Sequence, residues 1–248
     1  MEVHHHAHHG KKKWTEYFWE FFMLFLAITL GFIVENWREH IVEHRREKQY
    51  VSSMIEDLKS DTISLNVYLS NQRIAMTGYD SVIFLLNQKE RTTEQQRRLY
   101  YLTRIALRYN DFPQLEGNTY EQMKSSGNLR LIREQNVADS ISHYYSKTKE
   151  TDLATSQLLL RQQSLLSIEG DLFDGVTLHN MLDKKTFAFA EPTGNIQLIT
   201  DDRMIINKFI VSLHYLFSIT LYSMNAIRNQ INEATQLILF LKDEYHLK

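Results

Sequence analysis

One stretch constrains this chain more than any other: YFWEFFMLFLAITLGFIV, Tyr17 to Val34, in which only Glu20 and Thr29 are polar. Eighteen helical residues rising ~1.5 Å each span ~27 Å, close to the ~30 Å hydrocarbon core of a bilayer. Trp14, Tyr17 and Trp19 mark one end of the run and Trp37 the other, where interfacial aromatics belong. A cleaved signal peptide is the competing reading. The residues that follow, GFIVENWREH, offer no small-x-small cleavage site, so an uncleaved transmembrane anchor over 14–37 is expected.

Placed on a helical wheel, the run has two faces. Glu16, Glu20, Ala27, Gly31 and Glu35 share one stripe with Met23 and Val34, while Phe18, Phe21, Phe25 and Phe32 lie opposite. Large aromatics suit lipid. Small residues let a second backbone approach, and a carboxylate in hydrocarbon seeks a partner or water. The stripe therefore predicts self-association through Glu20, Ala27 and Gly31. The blander reading is that Glu20, one turn inside the boundary, snorkels to the interface. Lys11, Lys12 and Lys13 precede the span compactly, whereas Arg38, Arg45, Arg46 and Lys48 follow it among acids. That asymmetry favours a cytoplasmic N-terminus in a bacterial inner membrane.

Beyond the span the chain reads as all-α: a stalk leading into an antiparallel helical bundle over 38–248, with room for one small β-hairpin. The whole sequence holds only 2 prolines and 8 glycines, so long uninterrupted helices are open to it. Ile41, Val51, Ile55, Leu58, Leu65 and Leu69 recur at near-heptad spacing, with Lys48 and Thr62 interrupting. A second helix is expected over 73–87 and a third from Thr93, whose hydroxyl suits a cap. Pro113 and Gly117 punctuate a loop, and Gly127 suits a helix C-terminus before a helix through Leu131, Val137, Ile141 and Tyr145. KTFAFAEPTGNIQLIT alternates and turns at Pro192–Gly194, which suggests the hairpin. A long final helix over 203–245 contains an apolar stretch, 209–224. Lys208, His214 and Asn225 flank or interrupt it, so it reads as a core helix rather than a second span.

Candidate chemistry is sparse. His4, His5, His6, His8 and His9 include two i,i+4 pairs, and imidazoles so spaced can bind zinc or another divalent transition metal, with ligands from neighbouring subunits. The run is broken by Ala7 and is followed by lysines and the span rather than a linker, so it reads as native rather than as an expression tag. A solvated, partly protonated cluster beside anionic lipid is the alternative. HIVEH, His40 to His44, matches the H-x-x-E-H zinc-peptidase pattern, with Glu121 as a distant third ligand. One turn above a bilayer it reads better as a solvated helix face. Glu56, Asp57 and Asp61 cluster with Lys59, and Asp171, Asp174, Asp183, Asp201 and Asp202 flank the expected hairpin. No calcium-loop spacing joins these acids, and they read as surface charge. Tyr100, Tyr101, Tyr144 and Tyr145 read as interhelical packing, His143 and His214 as bundle residues.

What is missing narrows the function. No phosphate-binding glycine loop, dinucleotide fingerprint, H-E-x-x-H or G-x-S-x-G occurs. With 28 Lys+Arg against 30 Asp+Glu there is no basic surplus for nucleic acid. With 0 cysteines there is no disulfide framework or thiolate metal site.

EVHHHAHH, a lysine cluster, EFFMLFLAITLGFIVENWREH, EKQYVSSMIEDLKSD and MKSSGNLRLI together resemble an uncharacterised family of membrane proteins known mainly from Bacteroidota. The resemblance is strong over about the first 60 residues and weaker in the central helices. It implies native histidines and recurrent positions at His4–His6, His8, Glu20, Gly31, Glu35 and Glu56–Asp57. It implies no catalytic residue. The expectation is a single-pass, non-enzymatic, self-associating scaffold or sensor whose partners are the bilayer and further copies of itself. The alternative is an oligomeric ion path lined by Glu20 and gated by metal at the histidines. A zinc hydrolase at His40, Glu43 and His44 is a third.

Overall fold

The computed structural model describes residues 13–108, 115 and 117–247. It is all-α, with six helices among the described residues: α1 Trp14–Asn87, α2 Thr93–Arg108, α3 Asn118–Ser125, α4 Gln135–Leu172, α5 Gly175–Asn180 and α6 Arg203–Glu244. The chain divides into two compact units after Tyr50.

In the first unit α1 runs as a helix whose apolar side chains are uncovered. Trp14, Phe21, Leu24, Ile28 and Phe32 are all exposed. The i,i+3 pair Glu35–Arg38, with Nε donating to Oε2 at 2.9 Å, follows directly after the apolar run.

The second unit is a four-helix bundle. Within it α1 buries Val51, Met54, Leu58, Asp61, Leu65, Tyr68, Gln72, Ala75, Tyr79, Val82 and Leu86, positions three and four apart in strict alternation. That 3.5-residue period is the seam of a left-handed supercoil. The same alternation governs α6, from Ile206, Phe209, Leu213 and Leu216 to Ala234, Leu237 and Leu241. On α4 it appears as a seven-residue step from Val137 through Tyr144, Thr151, Leu158 and Leu165 to Leu172. The expected break near residue 70 does not occur, because Gln72 and Ala75 carry the seam straight through to Leu86.

Cross-helix pairs fix the topology. Arg203 donates to the Leu86 carbonyl, and Tyr79 meets Phe217 edge-on, so α6 runs antiparallel to α1. Gln162 donates to the Leu107 carbonyl and Phe173 packs on Tyr100, so α4 runs antiparallel to α2. α3 continues the course of α2 further along α1, where the Thr119 amide donates to Asp57 Oδ2 at 2.9 Å. The order is up, down, up, down, with the second position shared by α2 and α3.

Local chemistry sets the ends. Thr92, not Thr93, caps α2: its hydroxyl accepts from the Gln95 amide, and Gln95 Oε1 accepts from the Thr92 amide, a reciprocal capping box. Gly127 ends α3 in the left-handed region at φ 70°, as its position in the sequence suggests, and a 3-10 turn over Asn128–Leu131 leads into α4. Gly78 sits where α1 and α2 cross closely; a Cβ there would lie 2.8 Å from Ala106 Cβ.

No hairpin forms at Pro192–Gly194. The described segment holds one isolated antiparallel bridge, Leu182 to Phe189, around a turn at Asp183–Phe187. Asp183 Oδ1 accepts from the Lys185 and Thr186 amides and closes that turn early. Residues further on bond to α2 instead of to a partner strand: the Gln197 carbonyl accepts from the Tyr100 hydroxyl at 2.9 Å, and Arg98 pairs with Glu191 at 3.0 Å.

Candidate functional site

Two regions are candidates: the stripe on the apolar part of α1, and the polar residues within the bundle.

On α1, Glu16, Glu20, Ala27, Gly31 and Glu35 are all exposed. A Cβ added at Gly31 would meet nothing within 4 Å. This surface is large and apolar, and its own chain does not cover it: none of the most apolar window of α1 is buried. By length and composition two helices are apolar enough to cross a membrane, α1 and α6. They differ in what they cover. α6 places Phe209, Leu213 and Leu216 in the main apolar cluster with Leu99, Leu165 and Phe173, so it serves as a core helix of the bundle.

The five N-terminal histidines lie outside the described residues. Among the described residues no group of three or more His, Asp or Glu side chains is placed to hold a metal ion. His44 Nδ1 lies 3.2 Å from Glu47 Oε2, a contact within one turn of helix, and Glu121 pairs with Lys124 at 3.4 Å.

Several acids that read as surface charge have definite structural positions. Asp174 accepts from the Thr177 amide and hydroxyl, both at 2.7 Å, and caps α5. Those bonds hold its carboxyl below the usual carboxylate range. Asp202 caps α6 through the Met204 amide at 2.8 Å, and Arg91 pairs with Asp201. Asp57 receives the Thr119 amide, and Asp61 is 2% exposed. For Asp174 and Asp202 the signal was present in the sequence, since an Asp directly ahead of a helical stretch suits an N-cap. Glu56, paired with Lys59 at 2.6 Å, is indeed surface charge.

The two ends of the bundle have different cores. Toward Leu86, α2 and the start of α6 the core is mainly aliphatic and aromatic, with Gln96, Thr103 and Glu169 buried beside it: Tyr100, Phe173 and Phe209 form a chain with ring centroids 5.0 and 5.6 Å apart. The Tyr100 hydroxyl accepts from the Asp174 amide at 2.8 Å while donating to Gln197, so its polar end is satisfied. Toward Val51 and the end of α6 the seam holds Asp61, Tyr68, Gln72, Tyr144, Ser223 and Gln230, all buried. Tyr68 faces Ser223 across α1 and α6, and Tyr144 faces Gln230 across α4 and α6. Neither pair closes to full hydrogen-bond geometry. Burial, helped by the nearby Asp61 and Glu233 carboxylates and opposed by Gln230, pushes the Tyr144 hydroxyl up to about 12. Tyr145, stacked on Tyr120 at 3.9 Å, is driven up in the same direction, chiefly by burial. A groove of about 500 Å³ between α4 and α6 lies over this cluster, bordered by Asp139, His143, Tyr144, Glu233 and Phe240.

Sequence reasoning placed Tyr144 and Tyr145 correctly as packing residues and missed the polar seam. Asp61, Gln72 and Gln230 occupy heptad positions that an aliphatic-only pattern passes over. Comparison finds no match among protein-family models, curated proteins or solved structures.

Proposed function

We propose that the chain is a single-pass, membrane-anchored protein that self-associates through the Glu20–Ala27–Gly31 stripe and presents its bundle as a scaffold or sensor. The observation that carries this reading is the uncovered apolar length of α1. Apolar surface of that extent stays out of water, and hydrocarbon or another copy of the same helix is what covers it. The face of small residues favours a second helix on one side and lipid on the other. The resemblance of the N-terminal residues to membrane proteins of Bacteroidota adds to the reading, and with it an inner-membrane location and native histidines. The role proposed is a non-enzymatic one.

Crosslinking in native membranes, with mass measurement of the complex extracted in lipid, tests the assembly. The expected result is a discrete oligomer that Gly31→Leu disperses while the bundle's helical content stays unchanged. A monomer in native lipid, or an oligomer indifferent to Gly31→Leu, overturns the reading.

A further inference from the structure

Within the bundle, α1 carries a second heptad-spaced stripe on the face opposite its buried seam. Ile63, Val67, Ile74 and Phe84, with Ser70, Thr77 and Ser81 between them, each stand two residues beyond a buried position, from Asp61 and Leu65 to Val82. Two residues turn the helix by about 200°, which sets the stripe on the outer side. We propose that this outer face docks on the same face of a second copy, α1 beside α1 and parallel, as a contact separate from that of the Glu20–Ala27–Gly31 stripe. The parallel sense rests on the single-pass reading, since copies in one bilayer point the same way.

The choice of residues is hard to explain for a face left in water. Ile63, Val67, Ile74 and Phe84 are between 45% and 67% exposed, and they are all the exposed large apolar side chains that α1 carries from Val51 to Asn87. Apolar residues scattered over a surface are ordinary; four confined to one line of one helix are not. None of the seven stripe positions is charged. None holds Ala, Leu, Met, Lys, Arg, Glu or Gln, the residues that favour a helix on its solvated face. The hydroxyls between the apolar residues are already satisfied by their own helix. Thr77 donates to the Ile74 carbonyl at 2.8 Å and Ser81 to the Thr77 carbonyl at 3.0 Å. Covering them therefore leaves no stranded donor.

The occupant follows from what borders the stripe and from its size. Hydrocarbon fits poorly, because Asn66, Arg73 and Asp80 are exposed alongside and would be drawn in with it. An identical face fits well. With no charge on the stripe, self-contact sets no like charges against each other, and side chains three and four apart interdigitate between parallel helices. The apolar stripe offers on the order of 500 Å² per copy, so ~1,000 Å² for the pair, the lower limit of a specific interface. A contact of that size is weak between free molecules. Confinement in one bilayer raises the effective concentration and compensates.

The chain has 0 cysteines, so a single introduced thiol reports one position. The test oxidises Ser70→Cys, on the stripe, with copper phenanthroline in native membranes holding the full-length protein, beside Ser167→Cys, exposed on α4. A disulfide needs Cα atoms within about 7 Å, so Ser70→Cys is expected to give linked dimer roughly tenfold faster than Ser167→Cys. Adding Ile74→Lys sets ammonium groups against each other in the contact. It should bring the Ser70→Cys rate down to that of Ser167→Cys while the bundle melts as in wild type. Should Ile74→Lys lose its cooperative melt, Val67→Lys replaces it with the same expectation. A Ser70→Cys rate equal to that of Ser167→Cys, or unmoved by the lysine, overturns the proposal. So does a Ser70→Cys thiol that is shielded from a maleimide yet unlinked, since a different molecule then covers the face. Ala27→Cys reads the span contact by the same chemistry. Linkage at Ala27→Cys with none at Ser70→Cys removes the outer-face contact alone. Linkage at Ser70→Cys with none at Ala27→Cys upholds the outer face and counts against the span stripe.

Discussion

The two parts of α1 solve one problem, what to do with apolar side chains, in opposite ways. Between Trp14 and Trp37 the apolar residues ring the helix and stay exposed, Phe32 at 77%. Between Val51 and Leu86 they fall mainly on a 3.5-residue seam, and Leu65, Ala75 and Tyr79 reach 0%. Both are stretches of one continuous α-helix; what differs is the distribution of side chains around its axis. A helix apolar all round suits hydrocarbon, whereas a striped one suits a bundle in water. A stretch that is rich in apolar residues is thus less informative than where around the helix they fall. The same lesson applies to α6, which passes the length and composition test for a span yet puts its apolar stripe into the core.

The sharpest way to break this contrast is to make the first part of α1 polar. Leu24→Lys with Ile28→Lys places two charges mid-run, at about 2.5–3.5 kcal/mol each on insertion scales. The double variant is expected to leave the carbonate-washed membrane pellet while its bundle melts as in wild type. Retention in the pellet would mean that α6 holds the chain in the bilayer, and the distinction drawn between the two helices would fail.

A smaller effect comes from the other side of the comparison. Phe209 is fully buried against Phe173, and Phe209→Ala should cost the bundle about 3–5 kcal/mol, read by urea denaturation followed by circular dichroism. Membrane fractionation of that variant should match wild type. Loss of both together would show that anchoring and bundle folding are one event.

These contrasts also explain what was legible in the sequence. The final helix was predicted over 203–245 and forms over Arg203–Glu244, because uninterrupted 3.5-residue spacing and a capping Asp202 leave little choice. The Gly127 turn was legible for a comparable reason, since φ 70° favours glycine. The continuity of α1 past residue 70 was not, because Gln72 and Ala75 do not look like core. The expected hairpin failed because Asp183 captured the turn and Tyr100 and Arg98 captured the rest of the segment, long-range bonds with no local signature. The polar cluster was invisible for a related reason. Tyr144, Gln230 and Asp61 come from three helices, and only the assembled seam brings them together.

The mildest effect expected concerns a buried carboxylate, Glu169, in the more apolar half of the bundle. Glu169 is 6% exposed, 3.8 Å from Arg104, and burial raises its carboxyl above the ordinary value, with Arg104 opposing. A carboxyl raised in the folded state prefers to be protonated there. Its contribution to stability is therefore complete below about 4.5, the unfolded value, and is lost as pH rises through the folded one. As pH rises past the unfolded value, ionisation of the group weighs increasingly against the fold. Glu169→Gln removes that burden while keeping the shape, so its melting temperature should equal or slightly exceed that of wild type at pH 7, with the gap closing toward pH 4. Melting curves across that interval measure it. A variant less stable than wild type at pH 7, with the deficit shrinking on acidification, would show that attraction to Arg104 outweighs desolvation.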